Sequence, residues 1–302
     1  MRCEMMTYER KAMVAGQFYE GTTEALNQQI ESCFRDIRGP GNIPLIASQS
    51  KPSIGVIVPH AGFSCSGAIA AHSFSFIAEN GFADIFIILG PNHQGFGSGV
   101  AVYPKGFWET PLGKTPVDET IANELAGGII DIDERTHQQP ENSIEVQLPF
   151  LQYLGKNKPF SIVPIAMAMQ DYETSVEVGQ QIAQTIKHEK RTIRIIASTD
   201  FSHEGMAYGR IIPLDQTLNI DEYVKKKDQP AIDAILNHDS KQLIDIIEQQ
   251  HLSMCGYGPV IALLTAAESL GSSTVELLKY GTSYEVFPDS NACVGYAAFA
   301  IK

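Results

Sequence analysis

Three short apolar runs in this chain each stop at a loop that carries a histidine. They read IGVIV-PHAG with His60, DIFIIL-GPNH with His93, and TIRIIA-STDFSH with Asp200 and His203. If the runs are strands of one α/β sheet, the loops beyond their carboxyl ends converge on a common crevice and bring together residues far apart in sequence. A single histidine is ordinarily structural or merely superficial. Three at corresponding positions predict a shared site. Neutral imidazoles beside a carboxylate or thiolate form the donor set that a borderline transition metal needs, and two histidines with one carboxylate and open positions typify non-haem Fe(II). His60 and His93 are therefore expected to share one metal.

The candidates for a third ligand are His203, Asp200, Glu145 and Cys255. Cys255 lies in MCGYGP, just before an apolar helix with Pro259 near its first turn. There the helix dipole and free N–H groups are expected to lower a thiol's pKa; the alternative is a buried, inert cysteine. Asp200 is also read as the acceptor that orients an imidazole. Glu145, on SIEVQLPFL, is read as an acid/base or as a negative charge favouring the start of that helix. The expected catalytic set is thus Asp200, Glu145 and Cys255.

Other chemistries find little support. The loops PHAGFSCSGA and GPNHQGFGSG lack the lysine and the spacing of a Walker A or dinucleotide-binding turn, so no nucleotide is assigned. Ser64 and Ser66 stand in no GxSxG elbow, and their loop reads instead as one that brings backbone close to the site.

The elements that must position these residues follow from periodicity. Apolar runs at 54–58, 84–89, 160–166 and 192–197 read as doubly covered strands. Segments with helical spacing lie between or after them, at 67–79, 118–126, 143–154 and 171–188, with Ser143 and Asp171 as N-caps. Beyond residue 204 the pattern turns helical, at 221–227, 230–237, 241–249 and 259–270, and ends in strand-like VELLKYG and CVGYAAFAI. The expected class is α/β, a central mixed, largely parallel sheet flanked by helices. With no repeat or linker in view, residues 1–302 read as one domain.

Composition narrows the partners. Hydrophobic residues at 44% and charged residues at 19% predict an ordinary packed core. The net charge of -13 repels nucleic acid and anionic membranes, so neither is expected as a partner. Five scattered cysteines with no CxxC pair suggest neither a disulfide framework nor a zinc ribbon, which fits a reducing compartment. The N-terminal stretch has no uninterrupted apolar run, so a cytoplasmic location is expected.

The motifs VAGQFYE (14–20), VPHAGFSCSG (58–67), LGPNHQGFG (89–97), WETPLGKTPVD (108–118), ENSIEVQLPFL (141–151), STDFSH (198–203) and MCGYGP (254–259) together resemble the Memo family (mediator of ErbB-driven cell motility). The resemblance runs nearly the whole chain. It implies a fold similar to class III extradiol dioxygenases, and iron or copper at a pocket matched here by His60, His93, His203 and Cys255, with Asp200 beside them. It also implies a pathway shared with AMMECR-like and radical-SAM proteins. One position departs from the pattern, because the family commonly has histidine after the first glutamate of its EHSIE motif and this chain has Asn142. An amide is no base at neutral pH, which puts acid/base chemistry at that position in doubt.

Two functions of different class follow. The first is a metal-dependent, dioxygenase-like oxidoreductase in which His60, His93 and either His203 or Cys255 hold iron or copper while Asp200 and Glu145 handle protons. The second is a catalytically inactive module whose pocket histidines donate to a peptide or small anionic ligand, as phosphopeptide binding attributed to the family's animal member suggests.

Overall fold

The computed structural model describes residues 8–49, 53–210, 218–272 and 274–302; Cys3 lies outside them. Along these, the strands are β1 (Glu9–Arg10), β2 (Gly55–Val58), β3 (Ile85–Pro91), β4 (Val100–Val102), β5 (Phe107–Thr110), β6 (Gly113–Pro116), β7 (Asp131–Ile132), β8 (Ser161–Met167), β9 (Ile193–Ser198), β10 (His203–Glu204), β11 (Val275–Thr282) and β12 (Cys293–Ile301). The helices are α1 (Thr23–Arg35), α2 (Phe63–Glu79), α3 (Glu119–Leu125), α4 (Leu148–Leu154), α5 (Tyr172–His188), α6 (Ile220–Leu236), α7 (Ser240–Gln250) and α8 (Tyr257–Ser269).

The main sheet runs β10-β12-β2-β9-β3-β8-β4-β7, with β11 paired to β12. Its centre, β2-β9-β3-β8, is parallel, and β12 and β4 flank it antiparallel. This is the mixed, largely parallel α/β sheet that the apolar runs predict. Every residue of β2, β3 and β9 is buried, because helices cover both faces. The chain steps one way along the sheet from β2 to β3 to β8 and then back to β9. Right-handed crossovers therefore put α2 and α5 on opposite faces. Accordingly α2 packs with α1 and α4, while α5 packs with α3 and α8.

The reversal also makes the site. Strand β9 slots between β2 and β3 with Val58 level with Ser198 and Leu89 level with Ala197. The three histidine-bearing loops thus leave the sheet side by side at its carboxyl edge, the place where open α/β sheets bind ligands.

Two local expectations need correction. Ser143 does not cap a helix. It is buried and donates its hydroxyl to the Pro91 carbonyl at 2.9 Å, while the segment starts as a 3-10 turn at Glu145–Gln147 and becomes α-helical only at Leu148. The helices expected at 221–227 and 230–237 are one, α6, with Pro230 inside it; Asn219 and Glu222 form a capping box that fixes its start. Finally, a small sheet of β1, β5 and β6 went unread because its strands are short and partly polar. Asp171 does cap α5, accepting from the Thr174 N–H. No helix among the described residues is long and apolar enough to cross a membrane.

The small sheet anchors a buried charge. Arg10 on β1 lies over the Trp108 ring at 4.2 Å and forms an ion pair with Glu145, both side chains being almost wholly buried. It also donates to the carbonyls of His137 at 2.5 Å and Glu141 at 2.9 Å. Glu145 completes its shell with the N–H groups of Met13 and Val14 and the Tyr19 hydroxyl. Removing one partner of such a pair strands a desolvated charge, at a cost of about 3–5 kcal/mol. Arg10→Met should lose that much in guanidinium unfolding; a loss below about 1 kcal/mol would show that the pair is not what holds the N-terminal strap, residues 10–19.

Candidate metal site

His60 leaves β2 after Pro59 and is buried at 2% exposure. Its main-chain N–H donates to Asp200 Oδ1 at 2.8 Å, tying the end of β2 to the end of β9. Its Nδ1 lies 2.9 Å from Ser198 Oγ. The Ser198 hydroxyl donates its one proton to the Ser143 carbonyl at 2.6 Å and accepts from Gln147 Nε2 at 2.9 Å. With that proton committed, Nδ1 must be the donor, and the lone pair sits on Nε2. That nitrogen lies 3.1 Å from Cys255 Sγ.

The same logic fixes the other rings. Glu141 receives the His93 main-chain N–H at 2.6 Å, His93 Nδ1 at 2.9 Å and the Ser143 N–H at 2.9 Å. A carboxylate only accepts, so His93 carries its proton on Nδ1 and its lone pair on Nε2. His203 Nδ1 faces the Ser253 carbonyl at 3.2 Å, with the same result. Three imidazoles thus each have Nδ1–H engaged with an acceptor and Nε2 left as a base, which is how protein histidines are oriented toward metals.

Cys255 arrives from the N-terminal end of α8. The Gly256 that follows it must be glycine, because a Cβ there would stand 2.3 Å from the Ser198 carbonyl oxygen. That close approach lodges the helix start against the end of β9. The Asp200 N–H points at Cys255 Sγ at 3.3 Å and the Cys255 N–H returns to the Asp200 carbonyl at 3.3 Å.

One donor atom from each of His60, His93 and Cys255 lies within 4.8 Å of the others. Among the described residues this is the one such group of three or more His, Cys, Asp or Glu side chains. It sits by a cavity of about 320 Å³ whose walls include His60, His93, Asn142, Asp200, His203 and Tyr208. The structure thus brings His60, His93, His203, Cys255 and Asp200 together, and places Cys255 rather than His203 with the histidine pair. Glu145 is not among the cavity walls. Its oxygens are occupied by Arg10, Met13, Val14 and Tyr19, so the acid/base role read from the sequence gives way to a structural one. The carboxylate that serves the site is Glu141, which sequence reading missed; the signal available was its place four residues before Glu145 in the same motif. Ser198 was missed as well, since a strand-end serine reads as packing.

Electrostatics separate the two histidines of the cluster. Burial drives the His60 pKa down to about 4, against the pull of Asp200. Burial also opposes charge on His93, but the hydrogen bond and charge of Glu141 outweigh it and raise that ring. Glu141 is held at about 2 despite its burial, chiefly by His93. Cys255 runs against expectation: burial and the Asp200 charge push its thiol up, outweighing the hydrogen bond from the Asp200 N–H. A bonded cation would remove the thiol proton regardless.

A family model described as Memo-like protein matches residues 10–300. A MEMO1 family protein of Methanopyrus kandleri is 42% identical over 296 residues, covering 97% of this chain and 99% of its own. One of Methanothermobacter thermautotrophicus is 40% identical over 290 residues, covering 95% and 98%. An uncharacterized protein of Escherichia coli K12, known from its crystal structure, superposes with a TM-score of 0.56 over 83% of this chain and 100% of that one, at 12% identity, a likeness of fold alone.

The split between the rings has a measurable consequence in metal-free protein. Histidine titration followed by NMR should show His60 neutral down to about pH 4 and His93 protonating above the ordinary histidine range. Below the ordinary 6.5 the unfolded chain takes up the His60 proton while the folded one does not, so stability falls as pH drops from 6.5 toward 4 and this contribution then levels off. His60 titrating near 6.5 would refute the tautomer and burial argument together.

Proposed function

The chain belongs to the Memo-like family, and from that premise and the cavity's geometry we propose an iron- or copper-binding redox protein, a dioxygenase-like oxidoreductase acting on a small molecule. The observation that carries the reading is the convergence of His60, His93 and Cys255, with both imidazoles presenting Nε2 because Ser198 and Glu141 hold their Nδ1 protons. Two imidazoles and a thiolate suit transition metals and are poor partners for magnesium or calcium. The donor atoms present therefore fit the group. Bound iron or copper would supply one-electron exchange and an open position for a reactant.

The protein's own residues supply the rest. His60 lines the cavity with Cys255 Sγ 3.1 Å behind its Nε2, and His93, with 35% of its side chain exposed, stands toward the opening. Asp200 spends Oδ1 on the His60 N–H and positions that ligand. His203 faces the same cavity with Nε2 as its base, which makes it the group placed to hold or move a proton for a bound molecule. The free thiols of Cys65 and Cys255 suit a reducing, cytoplasmic setting.

The alternative, a pocket that recognises a peptide or small anion without metal, meets an electrostatic obstacle. Among the described residues that line the cavity there is no lysine or arginine, while Asp200 is one of the walls and Glu141 lies behind His93. An anion would gain little there.

Elemental analysis of protein purified anaerobically and supplied with ferrous or cuprous ion tests the proposal. One metal per chain is expected, with loss of stoichiometric binding in His93→Ala and Cys255→Ala. Glu141→Gln should keep the site and weaken affinity about 10–100-fold, as expected for a residue that orients a ligand. Unchanged metal content in His93→Ala would sink the reading.

A further inference from the structure

His203 belongs to a two-residue strand, His203–Glu204, at the rim of the sheet, too short to fix a side chain by itself. What fixes it is α6. Asp228 is fully buried and accepts the Ser202 N–H on Oδ1 at 3.1 Å and the Tyr280 hydroxyl on Oδ2 at 2.7 Å. Its neighbour Lys227 donates to Glu204 Oε1 at 2.6 Å, and Glu204 is itself buried at 2% exposure. Consecutive residues of one helix therefore grip the residues on either side of His203.

The third strand of this arrangement is built to admit the carboxylate. Gly295 on β12 exchanges main-chain hydrogen bonds with Phe201 and Ser202, and a Cβ at Gly295 would stand 2.0 Å from Asp228 Oδ2. Burial pushes the Asp228 carboxyl up to about 6 in spite of the donors from Ser202 and Tyr280. A desolvated acid kept inside α6 is costly unless its hydrogen bonds do something.

We propose that Lys227 and Asp228 are positioning residues that hold His203 over the cavity with its Nδ1 proton on the Ser253 carbonyl and its Nε2 free for a bound molecule. The chain of contact is short. Asp228 sets the Ser202 amide, Lys227 sets Glu204, and between them the His203 N–H reaches Ser253 Oγ at 2.7 Å while that hydroxyl returns to the His203 carbonyl at 3.1 Å. Ser253 lies two residues before Cys255, but Cys255 has its own pair of contacts with Asp200, so loosening His203 leaves the metal-ligating group in place. The use made of His203 rests on the function proposed above; its geometry does not.

Long-range proton–nitrogen NMR of the histidine rings in metal-free protein, with His203→Gln for assignment, reads the geometry directly. Wild-type His203 is expected as a single Nδ1–H tautomer. Asp228→Leu removes both acceptor oxygens and should abolish the single-tautomer pattern at His203 while His60 and His93 keep theirs and metal stoichiometry is unchanged. Tyr280→Phe, which leaves the Asp228–Ser202 bond, should keep the pattern. An unchanged His203 in folded Asp228→Leu overturns the proposal, as does a change at all three rings together, which would mark a general structural role. If Asp228→Leu does not fold, Lys227→Met decides: a loss of the pattern at His203 alone supports the grip, and an unchanged ring overturns it. Failure of the wild type to bind metal would count against the proposed function and leave this result standing.

Discussion

A carboxylate with no exposed surface must find donors or unfold the chain around it, and Glu145 imposes that demand on this fold. Four donors answer it, the Arg10 guanidinium, two consecutive main-chain N–H groups at Met13 and Val14, and the Tyr19 hydroxyl. All come from the N-terminal strap. Because the strap is pinned there, Phe18 is carried to the cavity wall, where its carbonyl accepts the Phe63 N–H at the start of α2. Arg10 meanwhile clamps the carbonyl of Glu141, the residue that orients His93. A structural ion pair thus fixes one side of the chemical site. The arrangement explains why an acid on the turn before an apolar helix, which invites a catalytic reading, sits here with its oxygens committed away from the cavity.

How much of this was legible depends on the range of the interaction involved. The β2, β3, β8 and β9 strands were readable because helices cover both faces and leave continuous apolar runs. His60, His93 and His203 were readable because those runs end at fixed points and the parallel register brings the ends level. Cys255 was readable from the start of α8. By contrast, Glu141 reaches His93 across 48 residues and Ser198 reaches His60 across 138. No local pattern marks which acid or hydroxyl will meet a given ring. Ser143 shows the same limit from the other side. Its spacing fits an N-cap, but the sheet edge beside it offers the Pro91 carbonyl, and tertiary packing takes the hydroxyl. Pro230 should break a helix by its missing N–H, yet α6 runs through it, packed against α7, β11 and β12.

The two histidines of the pair are tuned in opposite directions by neighbours of different kind. His60 meets a neutral hydroxyl at Nδ1, so the pull of Asp200 offsets only part of the desolvation of a positive ring, and its pKa falls to about 4. His93 meets an ionised acid and sits nearer solvent, so its charged form is favoured. For a cation entering the cavity these are different starting points: burial favours the free lone pair of His60, whereas Glu141 raises the affinity of His93 Nε2 for a competing proton. The same carboxylate would strengthen His93 as a donor to a cation, because the negative charge behind Nδ1 raises the basicity of Nε2.

Asn142 gives the cavity its particular chemistry. Its Nδ2 donates to the His60 carbonyl at 2.9 Å and it stands among the cavity walls, where the family pattern commonly has an imidazole. The amide can donate to the main chain that carries His60, as an imidazole could, and lacks a titratable proton near neutral pH. The remaining imidazole on the wall that lies outside the group of His60, His93 and Cys255 is His203, whose Nδ1 is committed to Ser253. With Asn142 holding the His60 carbonyl, the imidazole left on the wall beside the pair is the one whose flanking residues α6 grips from both sides.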